Sequence, residues 1–250
     1  MIRLSAIICL LFSPALALKC ENDFFQGISF SHCEAILGQD DIRFFLRDDK
    51  NNILGHFSTL QEYLKNQSLN LFFAMNAGTY RPDQSPAGYY VEEGKVIRRV
   101  ITGSGPGNFG LLPNGIFCVT NNRAEVYETK EFILRKSHCR FATQSGPMLV
   151  INGKLHPKFS ANSKSKFIRN GIGTTSDGKK AFFVISNTPL NLYMFSRYFR
   201  DHLNLKSALY LDGNVSRLYA PSINRYDFGR RLGPIITVVG PMGTNLSPDH

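Results

Sequence analysis

Four short stretches carry polar side chains where apolar runs stop. Asn76 and Gly78 follow LNLFFAM, Gln144-Ser145-Gly146-Pro147 precedes MLVI, Arg169-Asn170-Gly171 precedes IGTT, and Asp212-Gly213 follows LYL. A carboxylate at the tip of a buried strand is held rigidly, and glycines such as Gly78, Gly146 and Gly213 let the backbone pass close to a ligand. One Asp-Gly step alone is ordinary turn punctuation. Four polar strand ends in one chain read together as the parts of a site. Asp212 supplies an acid or nucleophile. Arg169 supplies a permanent planar cation suited to a phosphate. Asn76, Ser145, Asn170 and Asn214 supply hydrogen-bonding groups for a sugar, and Asn108, in the loop GPGNFG, is a candidate for the wall of the site.

Other chemistries find little support. GPGNFG formally satisfies G-x-G-x-x-G, but Leu111-Leu112-Pro113-Asn114-Gly115 follows where a dinucleotide fingerprint needs a helix start. The six histidines show no metal-binding spacing, there is no G-x-S-x-G elbow, and no cofactor is implied.

The elements that must position these residues are mostly strands. FQGISFSHCEA and DIRFFLRDD read as two early strands turning at Gly38-Gln39-Asp40. STLQEYLKNQ reads as a helix with Ser58 and Gln61 as a capping box. Hairpins are expected at Glu93-Gly94, Asn121-Asn122, Asn152-Gly153 and Asp177-Gly178, Asn152-Gly153 carrying the strongest turn signal. NLYMFSRYFRDHLN repeats Leu192, Phe195, Phe199 and Leu203 at helical spacing, so those residues face a core. Hairpins mixed with a few helices predict an α+β fold, one domain with a large mixed or antiparallel sheet. Neither linker nor repeat is visible.

Arg3, the apolar run Leu4–Phe12 and Ala15-Leu16-Ala17 have the form of a signal peptide cleaved after Ala17. That leaves residues 18–250 as the domain and places it in the periplasm or outside the cell. Of the five cysteines, Cys9 departs with the leader. The other four predict two disulfides in an exported chain, Cys20–Cys33 and Cys118–Cys139 being preferred because each closes a short loop. The net charge of +10 becomes +9 without Arg3. A basic balance attracts anions: nucleic acid, anionic lipid or phosphate-bearing glycans. The charges are scattered and the chain is exported, which argues against nucleic acid. No later stretch is long and apolar enough for stable membrane insertion. Nothing in the sequence speaks to oligomeric state.

Five blocks, FAMNAGTYRPDQSPAGYYVEEGKVI, GNFGLLPNGIFCV, ATQSGPMLVINGKLHPKF, IRNGIGTTSDGKKAFFVIS and ALYLDGNVSRLYAP, closely resemble the bacterial phosphodiester glycosidase family. That family shares a domain with the lysosomal enzyme that uncovers mannose phosphate by removing N-acetylglucosamine. The resemblance covers roughly residues 40–240. It implies a glycosidase-like α+β domain whose N-x-G, S-G-P and D-G blocks are Asn76, Ser145-Gly146-Pro147 and Asp212-Gly213, with Arg169 as the basic residue before the family's glycine. One departure is clear: Asn214-Val215 stand where the uncovering enzyme continues with glycines, so substrate identity does not transfer.

Most glycosidases use two carboxylates, one of which protonates a poor leaving group. Here the blocks offer one, Asp212; Asp83 and Glu92 are weaker candidates for a second. A lone acid suffices for a sugar 1-phosphodiester, because the phosphate leaves without protonation and needs only a cation and hydrogen-bond donors. Asp212 can attack the anomeric carbon, activate water or stabilise an oxocarbenium-like state, and the residues leave these three open. The expected function is an exported hydrolase of sugar–phosphate diesters in envelope or extracellular glycans. Two alternatives are a non-catalytic binding protein for an anionic envelope glycan and a structural interaction module.

Overall fold

The computed structural model describes residues 18–105 and 107–243; the leader and its cleavage site lie outside the described residues. The strands form three antiparallel sheets, and the largest, of seven strands, is the large antiparallel sheet expected from the hairpins. The first has seven strands in the order Lys19–Phe25, Ile28–Ile36, Lys180–Ser186, Asn170–Thr174, Ser207–Asp212, Met148–Ile151 and Lys154–Leu155. The second runs Arg225–Tyr226, Leu218–Ala220, Leu69–Asn76, Ile235–Pro241 and Asp41–Phe45. The third runs Lys95–Arg98, Tyr90–Glu92, Phe141–Ser145, Gly115–Val119 and Ala124–Glu128. With three short helices, Phe57–Asn66, Thr129–Arg135 and Leu192–Arg197, the class is α+β.

All three sheets turn one face to a common core that includes Phe44, Phe73, Phe117, Phe183, Leu211 and Ile236. The other face of the seven-stranded sheet is covered by Leu192–Arg197 and the π-helical turn Tyr198–His202, through Phe195, Tyr198 and Phe199. Strand Ser207–Asp212 is therefore buried on both faces, which is why its sequence is a continuous apolar run. Its side chains alternate: Leu209 and Leu211 enter the common core, Ala208 and Tyr210 the core beneath the helix.

The four predicted hairpins form at the expected turns. The early strands differ. A turn does form at 38–40, where the Asp40 carboxylate accepts the Ile36 N–H at 2.6 Å, but Ile28–Ile36 and Asp41–Phe45 enter different sheets. Ile28–Ile36 pairs instead with Lys19–Phe25, through Gln26-Gly27, both at positive φ. The first helix starts at Phe57 with His56 as N-cap and no side-chain cap bond, so Ser58 lies inside its first turn and forms no capping box. Thr129–Arg135 is a helix that the sequence reading passed over; it follows a strand directly and is capped by the Glu128 carboxylate. Both expected disulfides form. Cys20 and Cys33 face each other across the first hairpin, while Cys118–Cys139 ties Gly115–Val119 to the segment leading into Phe141–Ser145.

Candidate active site

The polar ends of four strands, drawn from all three sheets, meet at one place. The centre is a crossed pair of buried amides. Asn170 Nδ2 donates to Asn76 Oδ1 at 2.9 Å, and Asn76 Nδ2 donates to Asn170 Oδ1 at 3.3 Å. Neither residue is exposed, so the low-dielectric interior makes full pairing obligatory. Asn76 Oδ1 accepts one bond more, from the Arg217 N–H at 3.0 Å, and Asn170 Oδ1 accepts two, from the Asp212 N–H at 3.0 Å and from Ser216 Oγ at 3.2 Å. The pair thus pins both ends of the segment between Asp212 and Arg217. Ser216 Oγ, which donates to the Asp212 carbonyl at 2.8 Å, closes it from within.

Strand pairing is irregular here. Asn170 opposes Asp212 and Gly171 opposes Tyr210, which leaves Leu211 as an extra residue, a β-bulge. The Leu211 carbonyl accepts Ser145 Oγ at 3.0 Å, and Ser145 Oγ is also 3.3 Å from Thr79 Oγ1. Gly78, at φ +106°, lies against Ser145 and Thr143, and Gly146 lies against Asn114.

Asp212 is half-buried. Its Oδ1 accepts the N–H groups of Gly213 and of Asn214 (2.7 Å), so the loop holds the carboxylate in one orientation. Burial nevertheless lifts the carboxyl above its ordinary value, against the backbone hydrogen bonds. Two phenols lie within its field. Burial and the Asp212 charge push Tyr80 up to about 12. Burial pushes Tyr210 up to about 12 as well, with Arg169 opposing and Asp212 adding. Gly213 packs over Tyr210 so tightly that a Cβ would overlap its Oη. Asn108, exposed in its turn, reaches the same phenol. Asn214 is exposed beside Asp212.

Arg169 arrives at the site from behind. Only 1% of it is exposed. Its Nε donates to the Leu190 carbonyl at 2.7 Å, Nη2 to the Ser165 carbonyl at 2.9 Å and Nη1 to Tyr210 Oη at 3.0 Å. The guanidinium is largely used in holding Tyr210 and two loop carbonyls. The other two carboxylates considered stand outside the network. Glu92 accepts Tyr90 Oη at 2.8 Å, and exposed Asp83 accepts Ser85 Oγ at 2.7 Å. His156 is buried between the Leu112 carbonyl and the ring of Phe159, a structural position.

Tyr210 and Arg217 escaped the sequence reading. Tyr210 lay hidden in an apolar run, although period-2 alternation puts it on the face that Asp212 continues. Arg217 stands inside ALYLDGNVSRLYAP, five residues beyond the acid.

Three antiparallel sheets around one core define an architecture shared with solved structures. The zebrafish N-acetylglucosamine-1-phosphodiester alpha-N-acetylglucosaminidase catalytic domain, auto-inhibited by its pro-peptide, superposes with a TM-score of 0.59 at 12% identity, over 91% of this chain and 84% of that one. A hypothetical protein from Synechocystis superposes with a TM-score of 0.53 at 13% identity, over 89% of this chain and 61% of that one. At such identities the likeness is one of fold. The sequence goes further: the phosphodiester glycosidase family matches residues 70–239, and the chain belongs to that family. A curated relative, the uncharacterized protein YigE of Escherichia coli (strain K12), is 38% identical over 146 residues. The aligned segment spans 58% of this chain and 57% of that protein's length.

Proposed function

We propose that the protein is an exported hydrolase that cleaves the bond between an anomeric sugar carbon and a phosphodiester oxygen, in cell-envelope or extracellular glycans. One observation carries this reading: Asp212, raised by burial and oriented by its own loop, is the one carboxylate among the described residues that the amide cluster holds. An ordinary glycoside needs a second group to protonate the departing oxygen. A phosphodiester does not, because the phosphate departs as a stable anion. Family membership favours the same bond. The leader sequence and the two disulfides favour an oxidising compartment.

Asp212, ionised, supports the positive charge that builds on the anomeric carbon, by attack on that carbon or by drawing a proton from water. The anomer released first, retained or inverted, reports which. Arg169 is a positioning residue that fixes Tyr210 beneath Gly213. Asn76 and Asn170 hold the acid's backbone, and Ser145 holds the bulge. Asn108 and Asn214, both exposed, remain to meet the sugar, over the packed backbone of Gly78 and Gly146.

The test offers purified protein a chromogenic aryl sugar 1-phosphodiester and the matching simple aryl glycoside. Turnover of the first alone is expected. Equal turnover of both, or binding of phosphoglycans without turnover, removes the proposal.

A further inference from the structure

Tyr80 feels a second set of charges besides Asp212: the guanidinium groups of Arg217 and Arg230. Arg217 borders a cavity of about 250 Å³ that is separate from the amide cluster. Only 8% of Arg217 is exposed. Its Nη1 donates to the Arg230 carbonyl, and its Nε and Nη2 find no acceptor among the described residues. Among the described residues no carboxylate forms an ion pair with it, although the Asp227 charge acts on it. Asp227, on the same cavity wall, is already paired with Arg225 at 3.0 Å and accepts the Leu218 N–H at 2.9 Å. No buried side-chain nitrogen among the described residues lacks a partner, so this edge of an otherwise enclosed guanidinium is open to solvent at the cavity, where a ligand can reach it. Gly229, at φ +142°, passes close above this edge, and a Cβ there would sit 2.9 Å from Nη2. Glycine leaves the fork uncovered.

An independent feature of the same cavity favours the same charge. The ten-residue helix Phe57–Asn66 begins here, with His56, Phe57 and Ser58 on the wall. Its N-cap makes no side-chain bond, and the N–H groups of Phe57, Ser58 and Thr59 find no acceptor among the described residues. Uncapped N–H groups at a helix start carry partial positive charge and receive anions. Two exposed rings, Tyr226 and Phe228, stand at the rim; Phe228 is 94% exposed.

We propose that this cavity is a phosphate-binding subsite for a sugar phosphate. The Nε and Nη2 edge of Arg217 takes two phosphate oxygens side by side. The first turn of the helix takes a third, and the sugar ring lies on Phe228 and Tyr226. The assignment rests on the reading of the ligand as a sugar phosphate and does not depend on turnover. The phosphate has two possible sources, the scissile diester itself or a separate phosphate elsewhere on the same glycan.

Titration calorimetry with inorganic phosphate and with a sugar 1-phosphate tests the subsite directly. Arg217→Gln is expected to weaken both ligands at least tenfold, and Arg217→Lys to restore part of the loss. Phe228→Ala, which removes an exposed ring and does not threaten folding, is expected to weaken the sugar phosphate and leave inorganic phosphate unchanged. Asp212→Asn is expected to bind both as the wild type does. With the chromogenic diester, a fall in kcat/KM with kcat itself lowered in Arg217→Gln identifies the bound group as the scissile phosphate, whose charge grows as it departs. An unchanged kcat/KM with the calorimetric loss intact identifies a separate one. Wild-type affinity for phosphate in Arg217→Gln, or no binding by the wild type at 10 mM phosphate, a ceiling of about −2.7 kcal/mol, overturns the subsite. Phosphate binding at Arg217 in a protein that turns over no diester leaves the subsite standing and removes the hydrolase reading. Turnover with phosphate affinity unchanged in Arg217→Gln does the reverse.

Discussion

Two Asp-Gly steps lie in the seven-stranded sheet, one at each end of neighbouring strands. Asp177-Gly178 joins Asn170–Thr174 to Lys180–Ser186, and Asp212-Gly213 closes Ser207–Asp212. Both aspartates fold their Oδ1 back onto the backbone two residues ahead, Asp177 to the Lys179 N–H at 3.0 Å and Asp212 to the Asn214 N–H at 2.7 Å. The local bonding is the same, and the surroundings are opposite. Asp177 is exposed, and the hydroxyl of Thr175 and the Lys179 N–H hold its carboxyl below the ordinary value. Asp212 is enclosed by strand ends, and burial holds its carboxyl above that value. Turn chemistry alone does not make a site. What distinguishes Asp212 is the convergence of other strands upon it.

The sharpest way to break this comparison is to remove each acid. Asp212→Asn is expected to lower kcat on a sugar 1-phosphodiester by about 10³-fold, and Asp177→Asn to leave it within about twofold. Equal effects sink the assignment of Asp212.

The supporting shell comes next. Asn170→Ala strips acceptors from the Asp212 N–H and from Asn76 Nδ2 in a dry interior. The expected cost is about 2–4 kcal/mol, a fall in Tm of roughly 5–15 °C. Thr175→Ala at the exposed turn is expected to cost under about 1 kcal/mol, and thermal melts compare the two. The glycines should separate in kind. Gly178→Ala strains a residue at φ +67° and costs about 1 kcal/mol of stability with activity kept. Gly213→Ala collides with Tyr210 Oη and displaces the acid, so kcat falls by about 10²-fold.

The smallest effect is on pH dependence. An acid raised on folding contributes stability that is lost as pH climbs from the unfolded value, about 3.9, through the folded one. A lowered acid contributes stability that is lost as pH falls through its folded value. Between pH 3 and 7, the Tm of Asp212→Asn relative to wild type should therefore rise with pH, and that of Asp177→Asn should fall. The acid limb of kcat should lie above the ordinary aspartate range, because Asp212 works ionised.

Local signals in the sequence were enough for the hairpins. Asn152-Gly153 and Asp177-Gly178 each specify a turn from two residues, and the period-2 runs beside them specify the strands. Which hairpins share a sheet depends on contacts between residues more than a hundred positions apart, such as Cys33 opposite Phe183, and no local signal carries that. The first hairpin was obscured because Gln26, an unremarkable turn residue, takes the positive φ ahead of Gly27. Asn76, Ser145, Asn170 and Asp212 were legible as polar residues closing apolar runs. That the two asparagines bond each other was not, because the reading supplies position along the chain and not pairing across 94 residues. Arg169 was legible as a cation near the acid, while its acceptors, carbonyls of Ser165 and Leu190, carry no side-chain signature.

The crossed amides have one further consequence. They grip the chain at Asp212 and again at Arg217, and both grips lie outside Asn214 and Val215. A stretch anchored from elsewhere tolerates new side chains at these two positions, as long as the backbone N–H groups that orient the Asp212 carboxylate keep their places. Diversification within the lineage can then proceed by swapping these few residues, with the scaffold untouched.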